Sequence, residues 1–290
     1  MAEAIQNGAV YWITSKASPN LRLELSNGDP SNGTQAQGWQ QMTDYAFYNQ
    51  MWLVELVDGG YWTFRNLRSG TCLDLNGGNP GNGTKVQGWV AMDNNYNQHW
   101  AIIQLGGAYW KIKNRGTGTV IDLSGGGNSN GTKIQGWQDM ANNPNQAWLF
   151  TRMTRTPTQI QALLAQNPRV APVQFPSYAD ANYLNLPINL WNLIYAESMI
   201  AQNFHWRSEI FDCDDFAFTL KAAVAKHGND WVRADGTAIL CGFMFGRKPN
   251  GAHAYNWCLT DSLNQVTFIE PQNGTWSVDA FGYQAYFGVF

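Results

Sequence analysis

The first half of the chain is one unit written three times. Leu23-Glu24-Leu25, Leu73-Asp74-Leu75 and Ile121-Asp122-Leu123 open the units. Asn-Gly-Thr follows at Asn32, Asn82 and Asn130, then Gly38-Trp39, Gly88-Trp89 and Gly136-Trp137. Each unit closes with Asn-Gln-x-Trp, from Asn49 to Trp52, Asn97 to Trp100 and Asn145 to Trp148. Matching marks recur every 48 to 50 residues. A period of that length is the mark of a repeat architecture, in which no unit buries its apolar face alone. The segments between the marks are short, alternating or apolar, and bounded by Gly, Asn and Pro. That pattern predicts β-strands and tight turns without helix. Three units of about four strands predict a closed β structure with pseudo-threefold symmetry, with Trp52, Trp100 and Trp148 as structural core residues.

The remaining composition narrows the function classes. Charged residues are 13% of the 290-residue chain and the net charge is −3, with no basic stripe to neutralise phosphates, which argues against a nucleic-acid partner. No stretch approaches the ~18 apolar residues of a membrane span. The opening residues, from Met1 to Trp12, lack a basic flank followed by an apolar run, so a cytoplasmic location and reduced thiols are expected. The four cysteines have no metal-ligand spacing; Cys72, Cys241 and Cys258 lie in apolar strand-like runs and read as core. The Asn-Gly-Thr asparagines, with Asn273 as a fourth, are expected to be turn residues.

The Gln-x-Trp closure, in threefold register with an Asp-Leu strand, resembles the ricin-B-type β-trefoil lectins over about residues 5–152. The resemblance implies binding of galactose- or N-acetylgalactosamine-type glycoconjugates in shallow pockets, one per repeat. Carried over, the second repeat offers Asp74, Trp89, Asn97 and Gln98, and the third Asp122, Trp137, Asn145 and Gln146. Such a set suits a sugar: a carboxylate accepts from adjacent hydroxyls, an aromatic ring covers the C–H face, and an amide completes the contacts. The first repeat departs, with Glu24 in place of Asp and ten positions between Trp39 and Asn49 where the others have eight. That site is expected to be weak, altered or empty.

After Phe150 the composition changes, and the domains are expected to be 1–152 and 153–290. Helices are expected from Thr156-Pro157, ended by Asn167-Pro168, and from about Leu190 to Met199. A third starts at Cys213 with Asp212 as N-cap and Gly228 as stop. Strands are expected from Thr237 to Phe245, Ala252 to Thr260 and Gln265 to Ile269, and the aromatic tail from Gly282 to Phe290 as a last strand or an interface. Helices followed by an antiparallel sheet indicate an α+β domain. Cys213, in the first turn of its helix, is biased toward thiolate by the helix dipole. Asp212, Asp214 and Asp215 oppose that bias. A cation among these carboxylates removes the conflict, and calcium is the hard, oxygen-seeking candidate. His253 and Glu270, on neighbouring strands, complete the nucleophile, base and orienting acid of a cysteine hydrolase.

Trp206-Arg207, Phe211 to Phe216, Gly251 to Asn256 and Phe268 to Gly274 are similar to the second domain of the Marasmius-type mushroom agglutinins. That resemblance spans the chain. It implies a β-trefoil lectin joined to a papain-like α+β domain, a calcium-dependent cysteine protease acting on protein or peptide, a homodimer and a role in fungal defence. It assigns Cys213 as nucleophile, His253 as base, Glu270 as its orienter, and Asp212, Asp214 and Asp215 as calcium ligands, with Gln272 and Asn273 as additional ones. Arg207 stands where papain-like enzymes carry an oxyanion-stabilising glutamine. The other reading is a dimeric agglutinin whose second domain is catalytically silent.

Overall fold

The structure is a computed structural model that describes residues 3–170 and 182–290. The chain divides into two compact units, Met1–Met153 with Trp231–Asp235, and Thr154–Asp230 with Gly236–Phe290.

The first unit holds twelve strands in one antiparallel network, four from each repeat. They are β1 (Ala9–Ser15), β2 (Leu21–Leu25), β3 (Thr34–Gln40), β4 (Trp52–Leu56), β5 (Trp62–Asn66), β6 (Cys72–Leu75), β7 (Thr84–Trp89), β8 (Trp100–Gly106), β9 (Tyr109–Asn114), β10 (Val120–Leu123), β11 (Thr132–Trp137) and β12 (Trp148–Arg152). Strands β1, β4, β5, β8, β9 and β12 pair in a closed ring, sealed where β1 meets β12 with Tyr11 opposite Arg152. The hairpins β2–β3, β6–β7 and β10–β11 close one end, and β3, β7 and β11 pair with one another. This is a β-trefoil.

The repeat marks explain themselves in this fold. Trp52, Trp100 and Trp148 are fully buried, and their indole N–H groups donate to Leu23 O, Leu73 O and Ile121 O at 2.9, 3.0 and 3.3 Å. Each therefore fastens the closing strand of its repeat to the Leu/Ile-x-Leu strand. A buried tryptophan removes roughly 150–250 Å² from water, about 4–6 kcal/mol before conformational entropy is subtracted. The Asn-Gly-Thr asparagines do more than turn the chain. Asn32 Oδ1 accepts from Val90 N–H, Asn82 Oδ1 from Gln138 N–H and Asn130 Oδ1 from Gln40 N–H, each at 2.7–2.8 Å. Each repeat thus holds the next, and the third holds the first. On the pseudo-threefold axis Gln35 Nε2 faces Ala36 O, Val86 O and Ile134 O, the equivalent carbonyls of the three repeats.

The second unit begins with β13 (Thr154–Arg155) and α1 (Pro157–Gln166). Thr156 and Gln159 form a reciprocal capping box that starts α1, with Pro157 at its first position. β14 (Asn182–Leu184), α2 (Ile188–Ser198), α3 (Ile200–Asn203) and α4 (Cys213–Trp231) follow. Helix α4 runs past Gly228, the expected stop. That glycine lies against Ile239, where an added Cβ would stand 3.1 Å from Cδ1, so its role is close packing. The strand expected from Thr237 to Phe245 is two strands. β15 (Thr237–Ile239) pairs parallel with β14, while β16 (Gly242–Lys248) joins an antiparallel sheet. Its order is β19 (Trp276–Ser277), β18 (Val266–Ile269), β17 (Gly251–Leu259), β16, β20 (Gln284–Val289). The aromatic tail is the edge strand β20. Tyr255, Trp257, Phe268 and Phe290 fill the core beneath the sheet.

Candidate functional site

In the second repeat, Asp74 on β6 lies opposite Gln87 on β7, and Gln87 Nε2 donates to Asp74 Oδ1 at 3.0 Å. Asp122 and Gln135 repeat this pair in the third unit at 3.1 Å. Both aspartates are buried, and burial pushes their carboxyls up, with the neighbouring glutamine amides pulling the other way. Trp89 and Trp137 close β7 and β11 half-buried. Asn97 and Asn145 stand half-buried over Gly78 and Gly126. A Cβ there would come within 2.5 and 2.7 Å of the asparagine Oδ1, and φ is positive at both glycines, so the backbone must be bare for the amide to reach its place. Gly78 and Gly126 thus set Asn97 and Asn145 in place, and the Asp–Gln pairs stand on the hairpins beside them.

Gln98 and Gln146 do not join them as sugar contacts. Both are buried, and their amides span the loop: Gln98 takes Met92 N–H and donates to Val90 O, and Gln146 takes Met140 N–H and donates to Gln138 O. Each also bonds its aspartate. They position the carboxylates. The polar contact that sequence reasoning missed is Gln87 and Gln135; its signal was a Gln-Gly-Trp written in all three repeats.

The first repeat is closed. Glu24 is buried and bonds Gln37 at 2.7 Å, and its longer side chain also reaches Asn49 and the Asn27 N–H. Burial pushes the Glu24 carboxyl up, and those three contacts oppose it. Asn49, half-exposed in its counterparts, is here buried. Three of the Glu24 carboxylate's acceptor positions are taken by protein.

In the second unit, Cys213 opens α4 with Asp212 before it. Asp212 accepts from the Asp214 N–H as the N-cap, and Asp215 Oδ2 accepts from the Asp212 N–H at 3.1 Å, so the two side chains satisfy donors of the first turn. The Cys213 thiol packs on Ala217, Phe243, Ala254 and Val289 and accepts from the Ala254 N–H, next to His253. Burial pushes the thiol up, and Asp212 and Asp214 add to it; the Ala254 N–H opposes both. On β17, His253 Nε2 meets Glu270 Oε2 at 2.6 Å. Glu270 Oε1 takes the Gln272 N–H at 3.2 Å, so the carboxylate is held from two sides.

Among the described residues, Asp212, Cys213 and Asp214 place one ligand atom each within 4.8 Å of one another. Asp212 and Asp214 share a hydrogen bond that raises Asp214 and lowers Asp212, and Asp212 Oδ1 is buried without a partner. Two carboxylates and an orphaned oxygen suit a hard cation; the soft thiol does not. Asp215 stands apart, its Oδ2 taken by the Asp212 N–H, and Asn273 Oδ1 is spent on the Thr275 N–H. Arg207 is exposed and bonds through its backbone to Phe211.

Comparison with known proteins matches residues 48–137 to the ricin-type β-trefoil lectin domain-like family and residues 183–276 to the agglutinin C-terminal family. Among solved structures, the chain is 39% identical to the Polyporus squamosus lectin bound to Neu5Aca2-6Galb1-4GlcNAc, over 99% of this chain and 100% of that one, with a TM-score of 0.89. It is 38% identical to a PSL1a–E64 complex over the same shares, with a TM-score of 0.86. Comparison with curated protein sequences gives no match.

Proposed function

Because the chain belongs to the family of the Polyporus squamosus lectin, we propose that its trefoil binds galactose-type glycans, sialylated ones included, through the second and third repeats. The observation that carries this reading is the doubled Asp–Gln–Trp–Asn cluster beside a closed first repeat. Each aspartate spends part of its acceptor capacity on glutamine amides and keeps the rest for hydroxyls. Titration calorimetry with Neu5Aca2-6Galb1-4GlcNAc tests it: two equivalents per chain are expected, and none would overturn it.

A second reading, peptide hydrolysis at Cys213, is favoured by the His253–Glu270 pair standing beside the Cys213–Ala254 contact. The E64 complex of a relative adds support. With Glu270 on Nε2, Nδ1 is the ring nitrogen that takes the Cys213 proton. The thiolate attacks the peptide carbonyl and forms a thioester, His253 returns the proton to the leaving amine, and water completes hydrolysis. Asp212 and Asp214 are the residues that would hold calcium, which when bound supplies positive charge against the carboxylates that hinder the thiolate. Casein cleavage in calcium and in chelator, with Cys213→Ala alongside, tests it. Calcium-dependent cleavage lost in the variant is expected; no cleavage, with sugar binding intact, leaves the carbohydrate-binding agglutinin alone. We place a homodimer on the second unit, where edge strand β20 exposes Tyr286 and Phe287.

A further inference from the structure

The residue between Gln and Trp in the repeat closures is Met51, His99 and Ala147. All three are buried, yet of the three side chains only His99 carries a hydrogen-bond donor. Arg115 Nη1 lies 3.2 Å from His99 Nδ1, and the Arg115 N–H donates to His99 O at 2.8 Å. The guanidinium is itself fixed, bonded to Asp58 at 2.9 Å and placed over the rings of Tyr61 and Tyr96. Arginine can only donate, so Nδ1 accepts and the ring proton sits on Nε2. Nε2 has no partner among the described residues, although the side chain is 95% buried by its 5% exposure. Burial and the Arg115 charge hold His99 below its ordinary value, which keeps this neutral tautomer.

His99 lines a cleft of about 550 Å³ between the β4–β5 hairpin and the loop after β7. Glu55, Asp58, Arg65 and Asp93 supply its charged groups, and Leu56 and Met92 its apolar ones. The equivalent cleft in the third repeat holds only about 150 Å³. There Lys111 takes the place of Thr63, its Nζ reaching Asp139 and Met140 O, and Ala147 takes the place of His99. One substitution empties the cleft and the other places an imidazole at it, both in the same repeat.

We infer that this cleft is a further saccharide subsite of the second repeat, separate from the Asp74 site and backed against it through Gln98. This inference rests on the lectin reading and extends it. The size falls in the range of small-ligand sites, and the lining alternates fixed donors with acceptors around apolar patches. Glu55 pairs with Arg65 and Asp58 with Arg115, so most of the negative charge is balanced, which suits a neutral polyhydroxyl ligand better than a free cation. The His99 Nε2–H and the Arg65 guanidinium meet hydroxyl oxygens; the carboxylates accept hydroxyl protons.

The test is a nitrogen-detected titration of the full chain that follows the His99 ring and the Trp89 and Trp137 indoles together. The probes are galactose, N-acetylgalactosamine, glucose, mannose and N-acetyllactosamine. In an Asp74→Ala/Asp122→Ala variant, at least one probe is expected to shift the His99 ring saturably while the indoles stay still. Thr63→Lys, which restores the third-repeat residue, should weaken that response at least tenfold while leaving the indole response of the otherwise native chain intact. A His99 ring that no probe moves overturns the subsite, as does a shift that vanishes with Asp74, or one produced by calcium chloride and by no sugar. Silent indoles in the native chain would instead refute the Asp74 and Asp122 sites, and this is read in the same spectra.

Discussion

Removing one sugar-site carboxylate should change binding stoichiometry before it changes affinity. Asp74 has about four acceptor positions as a carboxylate. Gln87 and Gln98 take up two, which leaves two for adjacent sugar hydroxyls. A hydrogen bond to a charged group contributes about 1.5–3 kcal/mol net. Loss of one to two such bonds, taken at the low end because the hydroxyls regain water, is about 1.5–3 kcal/mol, or roughly 10- to 150-fold in Kd. In calorimetry Asp74→Ala should lower the count from two sugars per chain to one, with the remaining Kd unchanged, because Asp122 keeps its own Gln135 and Gln146. Asp122→Ala should mirror it, and the double variant should not bind in the same concentration range. Glu24→Ala should leave the count at two, since that side chain is buried among Gln37 and Asn49. A single variant that still binds two sugars with native affinity, or a Glu24 variant that loses one, would refute the assignment of the working repeats.

Three further outcomes follow from the geometry. Asn82→Ala deprives the Gln138 N–H of its acceptor at an exposed seam, and should cost about 0.5–1.5 kcal/mol in denaturant unfolding, with Asn32→Ala and Asn130→Ala each costing a similar amount. Glu24, Asp74 and Asp122 have carboxyls raised by burial, so the folded trefoil holds their protons more tightly than the unfolded chain does. Their contribution to stability should rise as pH falls from neutral through the raised values toward the unfolded ones, while sugar affinity falls over the same window; paired melts and titrations along a pH series check both signs. Cys213 should alkylate with E64 faster in calcium than in chelator, read by intact mass, and a rate indifferent to calcium would separate the carboxylates from the thiol.

The trefoil was legible because its constraints are periodic. The Trp that opens the apolar strand after each Asn-Gln pair reads as a shared core, and the three indoles occupy it. The Gln two residues before it was read as a sugar contact, but Gln98 and Gln146 lie in the turns ahead of β8 and β12, where their amides bond the loop backbone and the aspartates. The asparagines of Asn-Gly-Thr could be read as turns but not as clasps, because their partners lie in another repeat, 58, 56 and 90 positions away. In the second unit, the Cys213 turn and the His253–Glu270 pairing followed from helix capping and antiparallel register, which are local rules. The break between β15 and β16 had no such cue. Gly242 marks it, and the reason is distant, since a Cβ there would fall 2.1 Å from the ring of Trp257.

The seam between β1 and β12 sets the order of events at synthesis. Tyr11 and Arg152 face one another across it, 141 positions apart. At about 5–20 residues per second, the first strand waits roughly 7–28 s for its last partner. Until then one edge of Ala-Val-Tyr-Trp-Ile-Thr-Ser, a segment without a single charge, offers unpaired backbone groups to any passing strand. The nascent chain is therefore most vulnerable to mispairing while the third repeat is still in the tunnel, and slowing translation over residues 100–150 should lower the yield of soluble protein more than slowing it over the second unit.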